Sequence, residues 1–465
     1  MRGARSIAVL VGAALGAASA SRPAGDSDIY WHLATARETL AHGLVRQDVF
    51  SWTVRGAQVS TDQWLGQLLY YAAYLVDGWS GVVLLRGAAI AILVALIFAN
   101  AAALPGVRPI TALVAMLPAI FMSQYVWSER PLLLGVACFA ALLLLLRVGR
   151  SGSDRALALV VPLLALWANL HGSFALGVVL VALVAAEGAW REPARRRMYA
   201  VMVVASLGAT LLTPAGVGSW TAPGFHLLFP PREIQEWARP DVRTGVGALF
   251  AVTLALVAAT ALITRSLPAR EALILVPVAL LAATAVRHTP LFAIAASAYL
   301  ASRGPDALVA ALRRFGVRLR PRETERPTAR VFSIFSLAAA AMLAVIAIAI
   351  APAEPDETSY PVAALAVLPP GPGLFNHYDW GGWLIWRAPA TPVFIDGRFT
   401  PYRCCGVLDD YRTVISAGPG WSETLARRGI RAVLVRPEDQ LAVRGIESGW
   451  TVLVRTPGFV LLRVP

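Results

Sequence analysis

Lysine is missing from this chain, and all 41 basic residues are arginine. Charge of any kind is scarce: Asp, Glu, Lys and Arg make up 15% of the residues, against about 25% in a soluble globular protein. Cysteine is nearly absent, with three residues in all. Cys138 lies in an apolar run, and Cys404 and Cys405 are adjacent, which is poor geometry for a mutual bridge, so no disulfide framework is expected. No linked Cys/His spacing suggests a zinc site. There is no Walker A sequence and no G-x-G-x-x-G after a strand, which leaves a nucleotide-binding fold without support. No internal repeat of the kind that marks secondary transporters is evident.

What the chain has in quantity is hydrocarbon. It is 57% hydrophobic, with a mean hydropathy of +0.62. Apolar runs of about 20 residues recur, which predicts a multi-pass helical membrane protein. Met1–Ala20 carries Arg2 and Arg5, then an apolar stretch ending in Ala-Ser-Ala, like a cleavable signal peptide. The competing reading, an uncleaved first helix, is preferred because many more spans follow. Further spans are expected near Gly81–Leu104, Pro109–Val126, Pro131–Arg147, Ala156–Leu170, Phe174–Trp190, Tyr199–Leu212, Ala248–Thr264, Ala272–Val286, Pro290–Ser302 and Val331–Ala351, making about eleven. The net charge is +13. Its arginines cluster at Arg108, Arg147/Arg150/Arg155, Arg191–Arg197, Arg265/Arg270 and the run Arg303–Arg330. That alternation fits the positive-inside rule, not the continuous basic face of a nucleic-acid binder. It puts the N-terminus in the cytoplasm and the opposite loops outside.

The polar interruption Gly25–Leu65 stands out against this background. It holds Asp26, Asp28, Glu38, Asp48 and Asp62, with His32 and His42 among aromatics. Ile29–His42 and Gln63–Leu75 have helical spacing and would lie along the membrane surface. Asp26 and Asp28 could act as a base, hold a divalent cation such as Mg or Mn, or bind a cationic group. Asp28 could instead cap the helix opening at Ile29. Asp62 reads as a cap of the second helix, and Asp48 as a turn residue.

Other candidates fall in the opposite-side loops. Asn169 and His171 close a span, where polar groups line cavities or bind neighbouring helices. Arg130, and Arg287 with His288, run against the charge trend as interfacial snorkellers or an anion clamp. Glu236 and Trp237 form an acid beside an interfacial aromatic. The expected division is a membrane domain over 1–351, with its first external loop at 21–80, and a separate α/β domain over 352–465. In the latter, 373–376, 392–396, 431–436, 450–455 and 459–464 read as strands. Tyr378–Arg387, Asp409–Ile415, Trp421–Arg428 and Pro437–Glu447 read as helices. Asp396-Gly397-Arg398 reads as a turn with a local ion pair.

The set Asp26-x-Asp28-x-Tyr-Trp-His32-Leu, QDVFSWT, Asp62-Gln-Trp64-Leu, WANLHGS, TPAG, QEW, WGGWLIW and VFIDGR resembles a group of bacterial polytopic membrane proteins similar to the GT-C glycosyltransferase superfamily. The resemblance covers most of the chain. It implies a transferase that takes a hexosyl or pentosyl group from a polyprenyl-phosphate donor to a glycan, lipid or protein acceptor on the extracytoplasmic face. It places Asp28 and Asp26 at the first-loop acidic motif as catalytic groups. Arg287, His288, Arg130, His171, Asn169, His32, Glu236 and Trp237 become candidate substrate contacts. One departure is Gln63-Trp64-Leu65, where the group more often has Glu-Trp-Leu. The alternative is a non-catalytic scaffold or lipid- or polymer-handling protein whose C-terminal domain binds a partner.

Overall fold

The computed structural model describes residues 2–228, 234–316 and 329–465. Part of the expected arginine run after Arg303 and part of the Thr213–Gly247 loop therefore lie outside the described residues. The chain divides into two compact units, Met1–Arg22 with Ser80–Pro352 and Pro23–Trp79 with Ala353–Pro465. Where the sequence suggested a break at 351, contacts instead group the first external loop with the C-terminal residues.

The first fourteen helices run α1 Arg2–Ala20, α2 Asp28–His42, α3 Trp64–Ala102, α4 Pro109–Ser123, α5 Pro131–Arg150, α6 Asp154–Ala158, α7 Val160–Leu170, α8 Phe174–Arg191, α9 Arg196–Ala209, α10 Thr221–Leu228, α11 Gly245–Thr264, α12 Ala269–Ala282, α13 Thr289–Arg314 and α14 Ala329–Ile350. α4 and α5 each begin on a proline, whose fixed φ and missing N–H suit the first helical position. α3 is interrupted at Asp77 (φ −151°) and Gly78 (φ 53°), the latter a left-handed conformation that favours glycine. The unit boundary follows directly, after Trp79.

A helix sits at each position where a span was expected. Among the described residues, five helices are long and apolar enough to cross a membrane: α3, Pro109–Val126, α5, α8 and α11. Their outward side chains are apolar; Val252, Leu254, Leu256 and Leu262 of α11 are exposed. Such a surface needs hydrocarbon around it, and the chain is a helical membrane protein.

In the first unit, small residues let α1 approach the 80–102 part of α3. A Cβ at Gly12 would stand 2.5 Å from the Ala91 carbonyl oxygen, and one at Gly16 2.5 Å from that of Gly87. This is the small-xxx-small packing of membrane helices. α13 packs on α4, α11 and α12 and is lined with buried alanines, among them Ala293, Ala295, Ala296 and Ala298. Buried charge is paired. Arg86 meets Glu129 and the carbonyls of Ser19 and Arg22. Arg147 reaches Asn100 (2.7 Å) and Glu271 (3.2 Å), and Arg150 reaches Glu187 (2.7 Å). Arg147 and Arg150, counted in the sequence as flanking topology markers, are thus buried ion-pair members, because acids lie within reach on α12 and α8.

The second unit is α2, the first part of α3 and a small α/β layer. The latter contains β1 Leu374–Asn376, α15 Gly381–Arg387, α16 Val407–Ile415, α17 Trp421–Arg428, β2 Ala432–Val435, α18 Gln440–Glu447, β3 Thr451–Arg455 and β4 Val460–Arg463. The sheet order is β1-β2-β4-β3, with β1 parallel to β2 and the other pairs antiparallel. Four of the five expected strands form. Residues 392–396 do not: Val393 makes one isolated bridge, to Ser51. The Phe394 N–H goes instead to the Asn376 side chain, 2.8 Å away. The core gathers Phe375, Phe394, Val433, Leu441, Trp450 and Leu462, together with Val54 from the first loop.

Candidate functional site

Asp26 and Asp28 divide the labour at the start of α2. Asp26 Oδ1 accepts the Asp28 N–H at 2.9 Å, and the Asp26 carbonyl accepts the Ile29 N–H at 3.3 Å. Asp26 therefore closes the helix start, the task the sequence had offered to Asp28. Asp28 Oδ1 accepts the Trp31 indole N–H at 3.0 Å. The Gly397 backbone lies against the same oxygen, so closely that a Cβ there would collide with it. Gly381 and Gly382 serve the same assembly. A Cβ on Gly382 would come within 2.9 Å of the Ser27 carbonyl, and one on Gly381 within 2.6 Å of Asp396 Cα. The WGGW and DGR sequences thus bring backbone right up to the first-loop carboxylate, which side chains would prevent.

Beneath this lies a buried charge network. Asp396 takes Arg398 Nε at 2.8 Å and Nη2 at 2.6 Å, and also accepts the Tyr402 hydroxyl. Arg398 Nη1 reaches Asp48 at 2.5 Å, and the Asp48 carboxylate accepts the Ser51 N–H at 3.0 Å. The local ion pair and the turn role of Asp48 are both present, joined by a contact that spans the sequence. Phe399, next in the chain, has φ 51°, a strained value for a non-glycine residue. Burial pushes the Tyr402 phenol well up, and Asp396 pushes it further. Tyr360 is likewise pushed up, first by desolvation and then by the Asp26 and Asp28 carboxylates. It stays protonated at neutral pH. His32 is buried, with Nδ1 3.3 Å from Gln67 Nε2 and its ring 3.6 Å from that of Trp31. Asp62 accepts the Ser60 hydroxyl.

No group of three or more His, Cys, Asp or Glu residues is placed to hold a metal among the described residues. The Asp26–Asp28 pair offers a divalent cation two carboxylates at most, and one oxygen of each is already a hydrogen-bond acceptor. Mg or Mn here would take most of its ligands from water and a substrate phosphate.

In the first unit, five of the candidate residues converge. Glu236 binds Arg287 Nη1 at 2.8 Å and Arg130 Nη1 at 3.5 Å. The Arg287 guanidinium stacks 4.5 Å above the Trp237 ring, and His288 meets the same ring edge-on at 5.7 Å. The Val286 N–H donates to the Ala238 carbonyl at 2.9 Å and ties the two short turns together. His288 Nδ1 lies 3.3 Å from the Leu281 carbonyl, which can only accept, so Nδ1 carries the proton. Desolvation, then Arg287, pushes His288 down to about 4, so it is neutral at neutral pH. Among the described residues, the two guanidiniums share the Glu236 carboxylate.

Asn169 donates to the Ala165 and Leu212 carbonyls at 2.8 and 2.9 Å. His171 Nδ1 accepts the Ser173 N–H at 3.1 Å, and Ser173 Oγ accepts the Trp167 indole N–H at 3.0 Å. A Cβ on Gly135 would press on Ser173 Oγ and His171, so this turn is closely packed. The sequence reading missed Trp31, Tyr360 and Gly397 as neighbours of Asp28. The first lies one helical turn on, which spacing could have revealed; the others are hundreds of residues away.

Searches of protein-family models and of curated proteins gave no match. Solved structures did. The oligosaccharyltransferase of Archaeoglobus fulgidus, tethered with an acceptor peptide, aligns at a TM-score of 0.56 and 13% identity over 93% of this chain and 69% of that one. The same enzyme in complex with Zn and sulfate aligns at 0.51 and 13% over 92% and 68%. ArnT from Cupriavidus metallidurans, bound to undecaprenyl phosphate, aligns at 0.51 and 14% over 98% of this chain and 97% of that one. These neighbours belong to the GT-C superfamily of membrane glycosyltransferases, and the chain described here has the GT-C fold.

Proposed function

We propose that this protein is an inverting GT-C-type glycosyltransferase that moves a hexosyl or pentosyl group from a polyprenyl phosphate to an acceptor on the extracytoplasmic face of the bacterial inner membrane. The observation that supports the reading is the alignment with ArnT over nearly the whole of both chains, beside a first-loop carboxylate that Trp31 orients at Asp28. In this reading the helices make about eleven spans, the N-terminus is cytoplasmic, and the acidic loop and C-terminal residues face outward.

Asp28 takes the proton of the acceptor hydroxyl as its oxygen attacks the anomeric carbon. The new O–C bond forms while the bond from that carbon to the phosphate oxygen breaks. The polyprenyl phosphate departs with the electron pair. Its growing charge needs fixed cations, and we assign that task to Arg130 and Arg287 of the first unit, where Glu236 and Trp237 hold the Arg287 guanidinium in plane. His288, neutral, adds an uncharged wall. In this reading His171 fixes the turn before α8, Asn169 ties α7 to the Leu212 carbonyl and His32 packs α2 on Gln67, and together they shape the substrate surroundings.

Asp28→Asn keeps shape and removes basicity. Transfer from a labelled polyprenyl-phosphate sugar is expected to fall about 10²- to 10⁴-fold, the usual contribution of a general base, with the thermal midpoint unchanged. Full transfer by this variant would remove Asp28 from the mechanism.

A further inference from the structure

The second unit contains a cleft of about 340 Å³. Its wall comes from three pieces of chain: the later turns of α2 with Arg37 and Glu38, the 49–55 turn, and residues 385–392. The turn is held in place by backbone. The Val393 N–H donates to the Phe50 carbonyl, and the Trp52 N–H to the Val393 carbonyl, both at 3.1 Å. The Trp52 indole donates to the Leu374 carbonyl at 3.0 Å. The cleft is therefore framed by paired backbone on both sides, and its size matches a small-ligand site.

The lining mixes cations with flat apolar faces. Phe50, Pro389 and Pro392 offer surfaces on which a sugar ring can lie. Arg37 stacks 4.7 Å above the Trp386 ring, which fixes its guanidinium plane without neutralising it. Arg55 is exposed at the rim. Among the described residues neither guanidinium has a carboxylate partner. Glu38, the one acid in the lining, is bound to His42 Nδ1 at 2.9 Å. Beside the Glu38 carboxylate, the cleft thus presents two guanidinium forks with no direct carboxylate partner among the described residues, suited to a planar carboxylate or a phosphate. Arg37 lies nine residues along α2 from Asp28, about 14 Å at the helical rise. A ligand reaching both would be longer than one sugar.

We propose that this cleft binds the anionic end of an acidic saccharide, and that it is the distal acceptor subsite of the reaction above. The second half of the proposal rests on the transferase reading; the first half, binding, does not. The test is titration calorimetry on the purified full-length protein. Its probes are a glucuronic acid–N-acetylglucosamine disaccharide, neutral diacetylchitobiose, and inorganic phosphate. The acidic disaccharide is expected to bind at least tenfold tighter than the neutral one, with an affinity that falls as salt rises. Arg55→Gln, at an exposed position, is expected to weaken it several-fold without loss of thermal stability. Arg37→Gln with Arg55→Gln is expected to abolish the preference for the acid. Phosphate competing with the disaccharide, and failing to compete in the double variant, would support the same forks. Equal binding of acidic and neutral disaccharides, or an acid preference that survives the double variant, overturns the proposal. Retained binding in an Asp28→Asn protein whose wild-type parent transfers no sugar would leave the cleft as an acidic-saccharide site and overturn its role as an acceptor subsite.

Discussion

Two aspartates two positions apart look equivalent in sequence, and the structure makes them different. Asp26 spends an oxygen on the helix start, while Asp28 is aimed by Trp31. Trp31→Phe keeps most of the ring and removes the indole N–H. The account expects transfer to fall about tenfold, which is ~1.4 kcal/mol in the barrier, with KM little changed and the fold intact. An unaltered rate would mean that the indole does not position the carboxylate. His288 gives a pH test. Its pKa falls from 6.5 to about 4 on folding, so between those values the unfolded chain binds the proton that the folded chain refuses. Stability is complete above about 6.5 and declines as pH drops toward 4. His377 is also pushed down, by desolvation first, and adds to the same slope. His288→Asn is expected to reduce the loss of thermal midpoint between pH 7.5 and pH 5, leaving the part due to His377. The sequence named Arg130, the Arg287–His288 pair and the Glu236–Trp237 pair separately, the cations from charges on the wrong side of the topology and the other pair as an acid beside an interfacial aromatic. That they touch was not legible, since 106 residues separate Arg130 from Glu236 and 51 separate Glu236 from Arg287.

At the level of helices and strands, apolar runs and breakers were enough to place the helices, because hydrocarbon demands continuous apolar length. Contacts inside the bundle were harder to read. Gly12 and Gly16 carry the small-xxx-small signal that the sequence reading passed over. Arg86, inside an apolar run, could have been flagged as an intramembrane charge in need of a partner, which proves to be Glu129. Gly16→Leu should overpack the contact with Gly87 and cost ~1–3 kcal/mol, lowering the thermal midpoint in detergent. Val9→Leu, on the exposed face of α1, should leave it unchanged. Equal midpoints for the two variants would show that α1 does not pack as described. The expected strand at 392–396 fails to form for a different reason. Its apolar run is real, but its hydrogen-bond partners are the first loop and the Asn376 side chain rather than a strand.

Across the whole chain, sequence order misleads most. The acidic loop and the C-terminal residues, more than three hundred positions apart, form one compact unit around Phe394, Val54 and the Asp48–Arg398 pair. No local pattern announces such a union; the paired motifs QDVFSWT and VFIDGR are where it occurs. The proposed transferase reading makes one central demand, a phosphate-linked polyprenyl donor. Native mass spectrometry of the protein, purified in mild detergent from its membrane, tests this most directly. The account predicts a co-purifying mass of a polyprenyl phosphate or its glycosylated form, lost when Arg130 and Arg287 are both changed to glutamine. A protein that carries only bulk phospholipid, and whose lipid profile is the same in the double variant, would contradict it.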